Sequence, residues 1–160
     1  MNNRSPKSCL SVAKYILDKA EEQNRMLTPM KLIKLVYMAH GWMLGLYGRP
    51  LFLENAEAWK YGPVIRELYR EVKQYRNNSI PPSQFKPAGI DLNFDEEETS
   101  VMDQTVSVYG RYSAIHLSMM THAKGTPWDI AYNEIGHDFV IPNDLIEEHY
   151  ASLYESNYER

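Results

Sequence analysis

The chain has 160 residues, 44% of them hydrophobic and 24% charged, with a net charge of -4 at pH 7. That length suits one domain with a sizeable core, and the acidic balance disfavours broad nucleic-acid binding, which needs a basic surface to displace phosphate counterions. The single cysteine, Cys9, excludes an intramolecular disulfide or a paired-thiol site and fits a reduced, cytoplasmic setting.

Met1 to Ser11 is polar and lacks the apolar run of a signal peptide. Ser8 to Asn24 follows as an amphipathic helix, with Leu10, Ala13, Ile16 or Leu17, and Ala20 on its inner face. Cys9 reads as a small buried hydrophobe on this helix. Leu27 to Pro50 is the stretch around which the rest is expected to pack. Thr28 caps its start, Pro29 occupies the first helical position, and Gly48 and Pro50 end it. Leu32, Leu35, Ala39, Met43 and Leu46 form one apolar stripe, and Met30, Ile33, Tyr37 and Leu44 a second. A helix apolar over most of its circumference is a buried core helix or a membrane span. Lys31, Lys34 and His40 interrupt the run, which favours the core helix and excludes a clean span. The remaining face carries Lys31, Lys34, Met38, Gly41, Gly45 and Gly48. Glycine inside a helix costs about 1 kcal/mol relative to alanine. Gly41 and Gly45 therefore predict a close approach on that face, by a helix of the same chain or by a partner.

Leu51 to Tyr61 predicts a short extended piece and a turn at Gly62-Pro63. Pro63 to Arg76 predicts a helix with Ile65, Leu68, Tyr69 and Val72 inside, and Arg66, Glu67, Arg70, Glu71 and Lys73 on a solvated face. Asn77 to Phe94, with Pro81, Pro82, Pro87 and Gly89, is irregular, and loops of this length are functional or loosely ordered. Asp95 opens a helix with Glu98 in capping-box position. Val101, Thr105 and Val108 face inward, and Gly110 ends it. Ser113 caps a short helix through Ala123. Thr126-Pro127-Trp128-Asp129 starts another, running to about Glu134. Asp138 to Ile141 is a candidate strand pairing near Glu57 to Lys60. Pro142 to Tyr154 is a last helix, with Leu145, Ile146, Tyr150 and Leu153 inside. The expected fold is mainly α: one domain over 1–160 with its core at about 9–154, some six helices around a buried central helix, and a small two-stranded β element.

Catalytic patterns are absent from the sequence. It has no glycine-rich phosphate loop, nucleophile elbow, HExxH or Cys/His zinc cluster, so no catalytic residue, metal ligand or cofactor is assigned. Of the five histidines, His40 reads as a hydrogen-bonded core residue, and His122 as a cation favoured by a helix C-terminus. Asp95 to Glu98 are acids at a helix N-terminus, where they are stabilising without any catalytic role. The 12 tyrosines and 3 tryptophans tilt the composition toward a binding protein. Trp42 and Trp128 read as closing the core where helices meet. Trp59-Lys60-Tyr61-Gly62-Pro63 is a dense aromatic, glycine and proline run in a connecting segment, equally able to close the core or to present an interface.

The same residues carry a family resemblance. Leu27-Thr28-Pro29-Met30-Lys31-Leu32, Lys34-Leu35-Val36-Tyr37 and Ala39-His40-Gly41-Trp42 resemble the opening motif of the Panacea domain, the SocA-like antitoxin family. Tyr47-Gly48-Arg49-Pro50-Leu51-Phe52 and Glu57-Ala58-Trp59-Lys60-Tyr61-Gly62-Pro63-Val64 resemble its second motif. Thr121-His122, Thr126-Pro127-Trp128 and the tail from Ile141 to Tyr150 resemble its C-terminal half. The likeness spans about Leu10 to Tyr150.

This resemblance implies a non-enzymatic bacterial or phage protein that neutralises a toxin encoded beside it by direct binding, alarmone-synthetase-like enzymes being among the partners of such domains. Thr28, Pro29, Gly41, Trp42, Gly45, Gly48, Pro127 and Trp128 then serve the fold. Lys31, Lys34, Trp59, Lys60, Tyr61, Gly62 and Pro63, with the Asn77 to Phe94 loop, frame the partner surface. Three other readings compete: a regulatory adaptor delivering a partner to a protease or other machine, an enzyme using His40 or His122, and an autoregulatory DNA-binding protein. Neither the toxin nor the oligomeric state is encoded in these motifs.

Overall fold

Helix α1 runs from Cys9 to Glu22 and is capped by Ser8, whose Oγ accepts the Ser11 N–H. The central helix, α2, spans Pro29–Tyr47. Thr28 caps it by accepting the Lys31 N–H, and Gly48 closes it in the left-handed conformation at φ 67°. In the computed structural model, which describes residues 5–158, every residue from Leu32 to Gly41 is buried. Met1 to Arg4, the start of the polar segment, and Glu159 and Arg160, at the end of the expected domain, lie outside the described residues.

A hairpin follows: β1 (Ala56–Trp59) and β2 (Gly62–Ile65) pair antiparallel from Ala56 opposite Ile65 to Trp59 opposite Gly62. Lys60 and Tyr61 form its two-residue turn. Helix α3 (Arg66–Val72) then leads into a 3-10 turn, Lys73–Tyr75. The remaining helices are α4 (Glu96–Tyr109), α5 (Ala114–Thr121), α6 (Pro127–Ile130), which continues as a π-helical turn over Ala131–Ile135, and α7 (Asn143–Tyr158). Helices α1, α4, α5 and α7 and strand β2 all pack against α2. No helix among the described residues is long and apolar enough to cross a membrane.

The close approach on the glycine face is made by α7. A β-carbon on Gly45 would lie 2.7 Å from Tyr150 Cβ and 2.8 Å from the Ala151 backbone nitrogen, and one on Gly41 would overlap the Tyr150 ring. Tyr150 itself is buried and meets Trp42 edge to face at 5.0 Å. The expected capping box of α4 is present, with Asp95 and Glu98 exchanging hydrogen bonds of 2.9 Å. Arg49, just past the α2 C-cap, ties that corner to α4 by donating to Asp95 at 2.8 Å and Glu97 at 3.0 Å.

Four details differ from the sequence expectation. Pro63 lies in β2 and does not open a helix. Gly62, at φ 117°, turns the chain back into a strand, and a proline lacking its N–H is tolerated on the edge of so small a sheet. The segment at Asp138 to Ile141 does meet β1, but on the edge away from β2. The Ala58 N–H donates to Phe139 O and the Asp138 N–H to Ala58 O, at 2.9 and 2.7 Å. Met30, Tyr69, Val108 and Leu153, expected inside, are 41%, 37%, 46% and 38% exposed. No other element covers these four side chains fully, although apolar spacing places them on inward faces. Lastly, the 77–94 segment is well anchored. Ile80 and Phe85 are buried, the Ile80 N–H donates to Leu27 O at 2.8 Å, and Lys14 and Ser11 of α1 bond Pro82 O and the Asp91 N–H.

Gly45→Ala brings a β-carbon against α7 backbone, which has little freedom to retreat. Overpacking of this kind costs about 2 kcal/mol, more than the gain of about 1 kcal/mol in helix propensity. Gly48→Ala meets no atom within 4 Å and carries only its left-handed backbone cost, about 1 kcal/mol. Urea titration of the two variants is expected to show Gly45→Ala destabilised, and Gly48→Ala destabilised even though no neighbour is displaced. Full stability of Gly45→Ala would contradict the α2–α7 seam.

Candidate functional site

The hairpin tip is held from beneath by three side chains reaching three alternate carbonyls. The Trp128 indole N–H donates to Trp59 O at 2.6 Å, the Ser118 hydroxyl to Tyr61 O at 2.7 Å, and the Lys34 ammonium to Pro63 O at 2.8 Å. The three donors come from α6, α5 and α2, so each of these helices fixes one point of the turn. Trp128 is placed by the Thr126 cap and by Pro127 at the first helical position. Gly62 suits this place because its φ is 117°, and a β-carbon there would crowd Lys34 Nζ at 3.0 Å.

The upper side of Trp59 is fixed as well. Its indole N–H donates to Glu57 at 3.0 Å, and Arg66 grips the same carboxylate at 2.7 Å while lying 5.3 Å over the Trp59 ring. Tyr69 meets that ring edge to face at 5.1 Å. Between the hairpin, the start of α2 and the end of α3 lies a groove of about 600 Å³. Pro29, Met30, Ile33, Trp59, Tyr61, Val64 and Tyr69 give it an apolar lining, and Lys34, Lys60, Lys73, Arg76, Asn77 and Asp138 give it polar groups.

Of the residues singled out from sequence, Lys34, Trp59, Lys60 and Tyr61 line this one groove. Gly62 and Pro63 are buried and shape the strand behind it. Lys31 is elsewhere: its ammonium donates to Gly110 O at 2.5 Å, closing the end of α4. The two lysines therefore form no shared edge, and Lys34 is itself buried, 3% exposed. From the 77–94 segment only Asn77 lines the groove, since the remainder turns toward α1. Met30 and Ile33 read as core stripe, and Lys73 as a solvated helix face. Nothing in their spacing marked them as groove residues, because the hairpin that completes the groove is distant in sequence.

His40 is fully buried and fully partnered. Its Nδ1 accepts the Leu51 N–H at 3.2 Å, its Nε2 bonds Asn143 Oδ1 at 3.1 Å, and its ring stacks on Phe52 at 4.1 Å. Those partners fix the tautomer with hydrogen on Nε2. Burial pushes the imidazole down to about 4, so it stays neutral in the physiological range. His122 is the C-cap of α5 and shares its Nδ1 hydrogen with Ser118 O, while its ring meets Trp128 edge to face. Cys9 is buried, and burial raises its thiol further from ionisation. Among the described residues no group of three or more His, Cys, Asp or Glu side chains could hold a metal ion.

The fold and site together define a mainly helical domain that presents a clamped hairpin beside a cation-rimmed apolar groove. The chain belongs to the family described as antitoxin SocA-like, Panacea domain, whose family model matches residues 32–129. That span includes all three donors that clamp the hairpin. The chain is also similar to Antitoxin SocA of Caulobacter vibrioides (strain NA1000 / CB15N), with 34% identity over 133 residues, covering 79% of this chain and 71% of the relative. No solved structure matches it significantly.

Two buried bases contribute strongly to the pH dependence of stability. Burial holds His40 at about 4 and Lys34 at about 7, against 6.5 and 10.5 for the free groups. In both intervals the unfolded chain binds more protons, so stability rises with pH across each. Melting temperature is expected to fall as pH drops from 6.5 toward 4, a loss on the order of 3 kcal/mol from His40. It should rise from pH 7 toward about 9, below the range in which unfolded tyrosines ionise. Lys34→Met should shrink the second rise to the smaller part left by Lys31, whose basicity burial also lowers, and leave the first. A flat profile above pH 7 in the native protein would contradict a buried Lys34.

Proposed function

We propose that this protein is a cytoplasmic antitoxin that neutralises a toxin encoded beside its gene by direct protein–protein binding, with the hairpin tip and its groove at the contact. Membership of the antitoxin family supports the role, and the similar Caulobacter protein carries the same designation. The observation that supports the location is the hairpin itself. Tyr61 is 64% exposed at the tip of a turn whose Trp59, Tyr61 and Pro63 carbonyls are all tied down.

A large amphipathic side chain on a rigid support is a favourable interface anchor, because little conformational freedom remains to be lost on binding. In this reading Trp59, Lys60 and Tyr61 touch the toxin. Lys34, Ser118 and Trp128 position them, and Gly62 and Pro63 set the backbone. Neutralisation by occlusion needs no catalytic group on the antitoxin, and the hydrogen-bonded, uncharged His40 fits a purely structural part.

The test is co-purification with the product of the adjacent gene, paired with rescue of growth when both are expressed. A tight complex that restores growth is expected. Tyr61→Ala with Lys60→Ala, both at exposed positions, should weaken that complex at least tenfold, about 1.4 kcal/mol, with an unchanged melting temperature. A harmless neighbour and no complex would overturn the antitoxin role. Rescue undiminished by the double variant would move the contact away from the hairpin.

A further inference from the structure

The charge of the groove opposes that of the chain. Lys34, Lys60, Lys73 and Arg76 line it against the single carboxylate of Asp138, in a protein of net charge -4. The field of Asp138 also acts on Arg66, outside the groove. Lys34 is the most unusual member. An ammonium has three hydrogens to donate, yet Pro63 O is the one acceptor found for it among the described residues. The charged form of a buried, incompletely partnered amine is costly.

We propose that the groove receives an acidic segment of the partner protein, one carboxylate of which meets the Lys34 ammonium while a neighbouring apolar side chain lies between Ile33 and Trp59. This rests on the antitoxin reading for the partner's identity, and on the groove alone for its chemistry. A carboxylate would supply the missing charge-assisted hydrogen bond at the floor. Lys60 on the hairpin and Lys73 and Arg76 beyond α3 would steer the approach of an acidic surface from outside. The cations come from three separate elements and the lining between them is largely aromatic and aliphatic, which suits an extended peptide better than a lone small anion. Burial alone accounts for the depressed basicity of Lys34, with no neighbouring charge contributing. Lys60, Lys73, Arg76 and Asp138 are the other charged groups lining the groove, from the hairpin, the end of α3 and the 138–141 segment.

The experiment pans a phage-displayed random-peptide library on the intact protein, then measures the enriched peptides by fluorescence anisotropy. Enrichment of Asp or Glu beside an aromatic or aliphatic residue is expected, with affinity falling roughly tenfold in Lys34→Met and in the Lys73→Glu, Arg76→Glu pair. The pair changes exposed positions only, so it remains informative if Lys34→Met fails to fold. No enrichment, neutral or basic consensus peptides, or acidic peptides indifferent to the pair would each overturn the proposal. A solution dimer seen by light scattering and abolished by the pair would assign the groove to a second copy, and so overturn it too. Growth rescue separates the two readings. Rescue undiminished in the pair would overturn the groove proposal and leave the antitoxin role standing. Acidic peptides bound by a protein that neutralises nothing would support the groove's chemistry and overturn the role.

Discussion

Everything in this structure depends on keeping one helix away from water on all sides. From Leu32 to Gly41 every α2 residue is buried, which is possible only if neighbours cover the whole circumference. Helices α1, α4, α5 and α7 and strand β2 do so. The α7 side is the most demanding, because Tyr150 and the Ala151 backbone sit where β-carbons would be at Gly41 and Gly45. Close packing turns the cost of two helical glycines into a fixed spacing between α2 and α7.

Burial has a second consequence. Polar groups on a surrounded helix must find partners inside the protein, and α2 carries His40, Lys34 and Tyr37. His40 is satisfied at both nitrogens, by the chain leaving α2 and by the start of α7. The Tyr37 hydroxyl has no hydrogen-bond partner among the described residues, and burial raises it far from ionisation. Lys34 is intermediate, with one carbonyl. Its position links core and surface, since the same ammonium that is excluded from water holds Pro63 and forms the groove floor. The hairpin is thus an extension of the core's hydrogen bonding carried out to an exposed tip. That explains how a short two-stranded element, marginal by itself in water, can serve as a rigid surface.

Local signals were legible wherever a structure is decided within a few residues. The Thr28-Pro29, Asp95-Glu98 and Thr126-Pro127 helix starts, the Gly48 stop and the capped Ser113 start all appear as the residues imply. The aromatic run at Trp59 to Pro63 reads from sequence as a candidate surface, but Pro63 sits in a strand where its sequence suggests a helix start. Proline with a preceding glycine is compatible with a helix start and with an edge strand alike. What chose the strand was the pairing with β1 and the left-handed turn at Gly62. Met30, Tyr69, Val108 and Leu153 show the same limit, because apolar periodicity identifies a face without saying whether another element arrives to cover it.

Local sequence is thus enough for the capped helix starts, the buried character of α2, the need for a close neighbour at Gly41 and Gly45, and membership of an antitoxin family. Each depends on local backbone chemistry or on motifs read in order along the chain. Tertiary contacts give Lys31 and Lys34, one helical turn apart, separate fates, one closing α4 and the other bearing the hairpin. Only they bring Lys73, Arg76 and Asp138 to the same groove as Trp59 and Tyr61. Those outcomes are set by contacts between residues far apart in sequence, and no spacing along the chain encodes which distant carbonyl a lysine will reach.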